Sequence, residues 1–253
     1  MSFSRPLYRF YEDRLVRSLP QDRMPHHIGV ILDGHRRFAR RSGREYADAY
    51  RAGMDKFVEM LGWCGELRIP VLSAWLLSQE NLERPDAELA PYYRVLGELL
   101  DRLPDEVPGL EYDVIGSLHL LPDQLQRAAR DLVQRSSPGG HRLNIGLAYG
   151  GRQEIVDAVR DLVAKLAADG VAADQIPAAI DSASIASHLY TADLPDPDLV
   201  IRTSGESRLS GFLLWQAAYA EYSFVDVYWP GFRRVDFLRA IRDYTLRQRR
   251  FGR

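Results

Sequence analysis

The chain has 253 residues, 46% hydrophobic and 27% charged, which is enough to bury a full core. Its formal net charge of −2 argues against a nucleic-acid binder, since such domains carry a marked positive excess, and no apolar run reaches the roughly 18 to 20 residues that cross a bilayer. Cys64 is the only cysteine, so there is no intrachain disulfide, as suits a reducing, cytoplasmic setting; the first residues lack a signal peptide's apolar region, so no leader is expected.

Taken in chain order, Leu7, Tyr8, Tyr11, Leu15 and Leu19 fall at helical spacing and predict an N-terminal helical extension over about residues 1–22. Such a stripe can touch a membrane surface, at most peripherally, but an apolar helical face is first of all core. Strand-like runs follow at Ile28 to Leu32, Val71 to Leu77, Glu111 to Ile115, Leu143 to Leu147, Leu199 to Arg202 and Tyr222 to Val227. Helical patterns separate most of them, at Arg37 to Gly65 with a break near Ser42-Gly43, Asp86 to Leu103, Pro122 to Gln134, Arg152 to Ala168, Ser184 to Leu189 and Val235 to Arg249. This alternation predicts an α/β fold: a single domain over residues 1–253, with a mainly parallel central sheet flanked by helices. Small, polar residues from Ala167 to Pro177 read as a surface loop.

Chemistry-bearing clusters sit where predicted strands end. After the first strand, a short apolar run stops at Asp33-Gly34-His35-Arg36-Arg37. Ser78 to Pro85 follows the second strand, Tyr149-Gly150-Gly151-Arg152 the fourth, and Arg202 to Ser210 the fifth. In a parallel sheet, strand carboxyl ends share one edge and ligands bind there. Asp33, Arg37, Arg84, Arg202, Arg208 and Ser210 are thereby brought within reach of one cleft, which predicts a polyanionic ligand. Lys56 and Lys165 are the only lysines; arginine suits bidentate phosphate contacts, but genome composition produces the same skew.

These residues resemble the cis-prenyltransferases, the undecaprenyl diphosphate synthase family, along nearly the whole chain. HIGVILDGHRRFAR is similar to the family's strand-D-G-N-x-R-W-A pattern, SQENLERP to S-x-E-N-W-x-R-P, and AYGGRQEIVDAV to N-Y-G-G-R. DPDLVIRTSGESRLSGFLLWQAAYAEYSF matches the long R-T-S/G-G-E-x-R-x-S-x-F-L-L-W-Q-x-x-Y-x-E signature, and Arg250-Phe251-Gly252 matches a terminal R-x-G. The N-terminal helix and the paired arginines resemble the short-chain bacterial branch, which includes Z-farnesyl diphosphate synthases.

The resemblance implies condensation of isopentenyl diphosphate with a short allylic diphosphate, geranyl diphosphate giving Z-farnesyl diphosphate, with release of diphosphate. It implies that Asp33 is catalytic and holds Mg²⁺, that Gly34, His35, Arg36, Arg37 and Phe38 form the allylic diphosphate loop, and that Tyr46 and Tyr50 lie near the same phosphate. Ser78, Glu80, Asn81 and Arg84 would contribute to substrate binding, Arg84 with Arg202, Arg208 and Ser210 at the isopentenyl diphosphate site. Glu221 matches a carboxylate associated with the metal and the dimer. Arg250 and Gly252 match a tail that reaches the partner's site in family homodimers. Leu76 and Leu77 correspond to the floor of the hydrophobic tunnel, where bulk shortens the product.

His35 stands where the family usually has asparagine, Phe38 replaces tryptophan, and Tyr46 and Tyr50 replace charged groups of long-chain members. Two other readings therefore stay open on sequence: an irregular, lavandulyl-type condensation and a non-catalytic partner subunit. Retention of Asp33 and Gly34 speaks against the latter, and Arg202, Arg208, Ser210 and the terminal R-x-G speak against the former.

Overall fold

Six short β-branched or apolar runs set the architecture of the computed structural model, which describes residues 4–247. The chain runs α1 (Ser4–Ser18), β1 (His27–Ile31), α2 (His35–Ser42), α3 (Tyr46–Glu66), β2 (Val71–Trp75), α4 (Asp86–Glu106), β3 (Leu110–Ile115), α5 (Asp123–Gln134), β4 (His141–Gly146), α6 (Gly151–Ala168), α7 (Ile176–Ala179), α8 (Ser182–Ala186), β5 (Leu199–Arg202), β6 (Glu221–Phe224) and α9 (Arg234–Leu246). All strand pairs are parallel, in the order β3-β4-β2-β1-β5-β6.

β1, β2 and β5 are buried along their whole length, as expected of parallel strands covered on both faces. Their alternate residues divide between two cores. Ile28, Val30, Leu72, Ala74, Leu199 and Ile201 join the larger one, built with residues of α3, α4, α5 and α9. Ile31, Trp75, Ile115 and Val200 meet Phe212, Leu213 and Tyr149 on the other face. The N-terminal stripe packs on the protein's own body: Leu15 and Leu19 are buried in the larger core, and the Arg239 guanidinium of α9 lies over the Tyr11 ring at 5.4 Å.

Several boundaries differ from those read in the sequence. β1 begins one residue early and releases Leu32. β2 stops at Trp75 because the Leu76 and Leu77 N–H groups both turn to the Gly146 carbonyl, at 3.2 and 3.1 Å. The helix expected at Ser184 to Leu189 begins earlier, as α8, where Asp181 and Ser184 cap each other. The loop expected from Ala167 to Pro177 is shorter, since α6 runs to Ala168 and α7 starts at Ile176.

From β1 the chain passes to β2, then to the edge strand β3 and back to β4 between them, before crossing to place β5 on the other side of β1. The strand order therefore reverses between β1 and β5, and an open α/β sheet binds ligands in the crevice beyond such a reversal.

Candidate active site

β1 and β5 end side by side, with Ile31 paired to Arg202, so Asp33 emerges beside the Arg202 side chain. The Asp33 backbone is locked: its N–H donates to the Thr203 hydroxyl at 3.0 Å, and its carbonyl accepts from Thr203 at 2.8 Å and from the Trp229 N–H at 3.0 Å. Gly34 then takes φ +109°, and an added Cβ would lie 2.9 Å from the Tyr228 ring. Only glycine suits both the left-handed turn and that approach. The turn opens α2, whose first N–H groups have no intrahelical acceptor and face the crevice as anion donors.

A continuous series of ion pairs spans the mouth of the cleft. Arg202 donates to Asp33 Oδ2 at 3.0 Å and to the Ser210 hydroxyl at 2.7 Å, and also to the Arg208 carbonyl. Arg37 lies 3.3 Å from Asp33 Oδ1 and donates to Glu206 and to the Ser204 hydroxyl, each at 2.8 Å. Glu206 in turn pairs with Arg208 at 3.2 Å. Burial works to raise the Asp33 pKa, but hydrogen bonding from Arg202 and the charges of Arg37 and Arg202 outweigh it and hold the carboxyl below its ordinary value. Asp33 is ionised at neutral pH.

The cleft has a volume of about 740 Å³. Its lining contains Asp33, Gly34, His35, Arg36, Arg37, Tyr50, Leu76, Ser78, Glu80, Asn81, Arg84, Arg202, Arg208 and Ser210, so most of the expected residues converge. The Ser78 hydroxyl accepts from the Asn81 N–H at 3.2 Å, and the Gln79 N–H donates to the Tyr149 carbonyl at 3.0 Å, tying this loop to the Tyr149-Gly150 segment. That segment does not line the cleft; it supports it. The Tyr149 hydroxyl donates to the buried Glu154 at 2.5 Å, and Glu154 also accepts from Gln216 at 2.9 Å. Arg84 makes no ion pair with Glu80, Glu83 or any other carboxylate among the described residues. Burial and the nearby charge of Arg36 lower its pKa, and an anion bound there would relieve both.

Four of the expected residues lie away from the cleft wall, and a fifth, His35, lines it from beneath. Phe38 faces away from the cleft, into a separate hollow of about 440 Å³ with Arg41 and Tyr228. The helical period puts Arg36, Arg37 and Arg40 on one face of α2 and Phe38 and Arg41 on another. Tyr46 does not line the cleft; its hydroxyl accepts from Arg40 at 3.1 Å and steers that side chain. Leu77 is fully buried in the larger core and, unlike Leu76, does not line the cleft. His35 is buried beneath the loop, and desolvation lowers its pKa to about 4; it is neutral and its Nε2 has no partner among the described residues.

The last of the four is Glu221, which starts β6 opposite Leu199, at the amino edge of the sheet. At about 3.3 Å per residue it lies roughly 16 Å along the strand direction from Asp33, where its carboxylate accepts from Arg247 at 3.0 Å. Within one chain it does not share a metal with Asp33. Arg250 and Gly252 lie outside the described residues. Conversely, Arg40, Tyr92 and Glu206 line the cleft without having been singled out as site residues. The helical spacing from Arg36 and Arg37 points to Arg40, and the arginines flanking Glu206 point to it; nothing local marks Tyr92.

The cleft thus gathers six arginines (Arg36, Arg37, Arg40, Arg84, Arg202, Arg208) against three carboxylates (Asp33, Glu80, Glu206). Among the described residues no group of three or more His, Cys, Asp or Glu is placed to hold a metal. The donor chemistry fits a cation that takes one carboxylate and completes its shell with phosphate oxygens and water, as Mg²⁺ does.

A family model described as putative undecaprenyl diphosphate synthase matches residues 31–252. A (2Z,6E)-farnesyl diphosphate synthase of Thermobifida fusca (strain YX) is 48% identical over 251 residues, covering 98% of this chain and 97% of that one. A short-chain Z-isoprenyl diphosphate synthase of Mycobacterium bovis is 45% identical over 253 residues, covering 98% and 96%. Among solved structures, lavandulyl diphosphate synthase from Lavandula x intermedia, in complex with dimethylallyl diphosphate, superposes with a TM-score of 0.85 at 32% identity, over 92% of this chain and 100% of that one. With the site at the carboxyl edge of a parallel sheet and a match over most of its length, this chain is a prenyltransferase and belongs to the undecaprenyl diphosphate synthase family.

Proposed function

We propose that the chain is a short-chain cis-prenyltransferase joining isopentenyl diphosphate to geranyl diphosphate to give Z-farnesyl diphosphate and free diphosphate. The observation that carries this reading is the two-sided cleft, with arginines and Asp33 at its mouth and Leu76 among the apolar residues of its wall. The curated relatives named for short-chain Z-products, at 45% to 48% identity, support it.

Arg37 and the N-terminus of α2 receive the allylic diphosphate, while Arg84, Arg202, Arg208 and Ser210 receive the homoallylic one. Asp33 would hold Mg²⁺ at the diphosphate, where the ion would supply neutralisation of the charge that grows on the leaving group. The allylic C–O bond breaks with its electrons passing to diphosphate, the isopentenyl double bond forms the new C–C bond, and loss of a proton leaves the cis double bond. Asp33 and the departing diphosphate are the oxygen bases placed to take that proton. Positioned arginines stabilise the developing negative charge, and alignment of two otherwise free reactants contributes roughly 7 to 11 kcal/mol.

The active species in this reading is a cytoplasmic homodimer. The support for a dimer is the edge strand β6, which exposes Phe224 at 41%, and the exposed apolar side chains of Leu214 and Tyr219 in the segment before it, at 36% and 82%. No helix among the described residues is long and apolar enough to cross a membrane.

The test is turnover with Mg²⁺ and each of dimethylallyl, geranyl and farnesyl diphosphate, with and without isopentenyl diphosphate, followed by mass and stereochemical analysis of the dephosphorylated products. Z-farnesol from the geranyl reaction is expected. Product from dimethylallyl diphosphate alone would instead identify the irregular reaction, and absence of product from a folded dimer would identify a partner subunit.

A further inference from the structure

We infer that Tyr92, through a hydrogen bond to the main chain of Leu76, is the residue that fixes where the prenyl tail must stop. This rests on the prenyltransferase reading of the cleft. Tyr92 belongs to α4, is 5% exposed, and lines the same cleft as Asp33 and Arg37. Its hydroxyl donates to the Leu76 carbonyl, one residue past the end of β2, so helix and sheet edge are fastened together at the cleft's apolar wall.

The wall behind this bond has little room to yield. The Tyr50 ring lies 4.6 Å from that of Tyr92, and the buried His35 ring sits 5.8 Å from Tyr50 and 6.4 Å from Tyr92. His35 in turn rests on α3 at Gly53, where an added Cβ would come within 2.1 Å of Nε2. A growing tail therefore meets a row of rings braced on a helix backbone, and close-packed interiors resist such displacement. A tyrosine also has few rotatable bonds through which to move aside.

The latch uses the Leu76 carbonyl, not its side chain. Leu76→Ala therefore removes bulk but leaves the latch in place, whereas Tyr92→Ala removes both the ring and the latch. Tyr92→Phe keeps the ring and frees the carbonyl.

The experiment compares wild type, Leu76→Ala, Tyr92→Phe and Tyr92→Ala with geranyl diphosphate and excess isopentenyl diphosphate, reading product length by mass. The expected result is a ratio of longer to single-condensation product that rises about tenfold in Tyr92→Ala relative to Leu76→Ala, with a smaller rise in Tyr92→Phe. A general loss of stability would lower the rate without moving this ratio. A parallel measurement needs no turnover: calorimetric binding of unreactive geranyl, farnesyl and geranylgeranyl thiolodiphosphates. Wild type should bind the longest tail about tenfold more weakly than the shortest, and Tyr92→Ala should lose that preference. Folded Tyr92 variants that keep the wild-type product ratio, or the wild-type preference for short tails, would overturn the assignment. Absence of turnover in wild type would overturn the proposed reaction, while the binding series still decides the role of Tyr92.

Discussion

The two ends of β1 each carry a buried histidine, and desolvation lowers the pKa of both to about 4. At the amino end, His27 uses both ring nitrogens, bonding the Pro195 carbonyl at 2.7 Å and the Ser73 hydroxyl at 2.8 Å, while Ser73 also accepts from Asn144 at 3.1 Å. At the carboxyl end, His35 leaves Nε2 without a partner, and the neighbouring Tyr50 hydroxyl is likewise buried and unsatisfied among the described residues. Ser204, Ser210 and Leu213 take left-handed φ values in the loop that closes the cleft, as Arg68 does at the opposite edge, a conformation that costs energy for a non-glycine residue. Both ring nitrogens of His27 are used, although Asn144 Oδ1 beside it is also buried without a partner among the described residues; at the other end an imidazole nitrogen and a phenol hydroxyl are left unsatisfied next to the cleft.

Asp33→Asn is the strongest way to break the functional end. It removes the carboxylate that would hold the metal and leaves Arg37 and Arg202 without a common partner, so kcat should fall by about 10³-fold or more in protein that circular dichroism shows to be folded. Arg202→Lys is next. Arg202 is 4% exposed and forks between Asp33 and Ser210, a geometry that a single ammonium does not reproduce; kcat/KM for isopentenyl diphosphate should fall by about 10²-fold.

The structural end should respond in the opposite manner. His27→Ala abandons two buried hydrogen bonds and opens a void between β1 and β2, so urea unfolding should show a loss of about 3 kcal/mol with the product distribution unchanged. A product that changes length in this variant would end the division of labour drawn between the two ends.

The smallest effect is a pH dependence common to both. An unfolded histidine titrates near 6.5 and these two near 4, so between those values the unfolded chain binds more protons. Stability should therefore decline as the pH is lowered from about 6.5 towards 4. His35→Asn removes one of the two titrations and should flatten that decline in urea titrations at pH 7, 5.5 and 4.5. Because the folded His35 is neutral well below pH 6, kcat/KM should show no inflection near 6.5 that this variant abolishes.

What the sequence by itself determined is what is local. Apolar runs of strand length alternating with helical periodicity foretold a parallel α/β sheet, because each period follows from backbone geometry. The abrupt stop of β1 at Asp33-Gly34, the arginines after it and the Arg202 to Ser210 segment marked the anion site, because in such a sheet every strand end falls on one edge. Tertiary structure alone decided which face each residue presents and what it meets. It chose Leu76 and not Leu77 for the cleft lining, and it put Glu221 at the far edge of the sheet from Asp33. It also made His35 a neutral part of the wall and brought the Tyr92 hydroxyl to a carbonyl 16 residues away and Arg202 to a carboxylate 169 residues away. Burial and partnership arise from residues distant in the chain, so they exist only once the fold has closed.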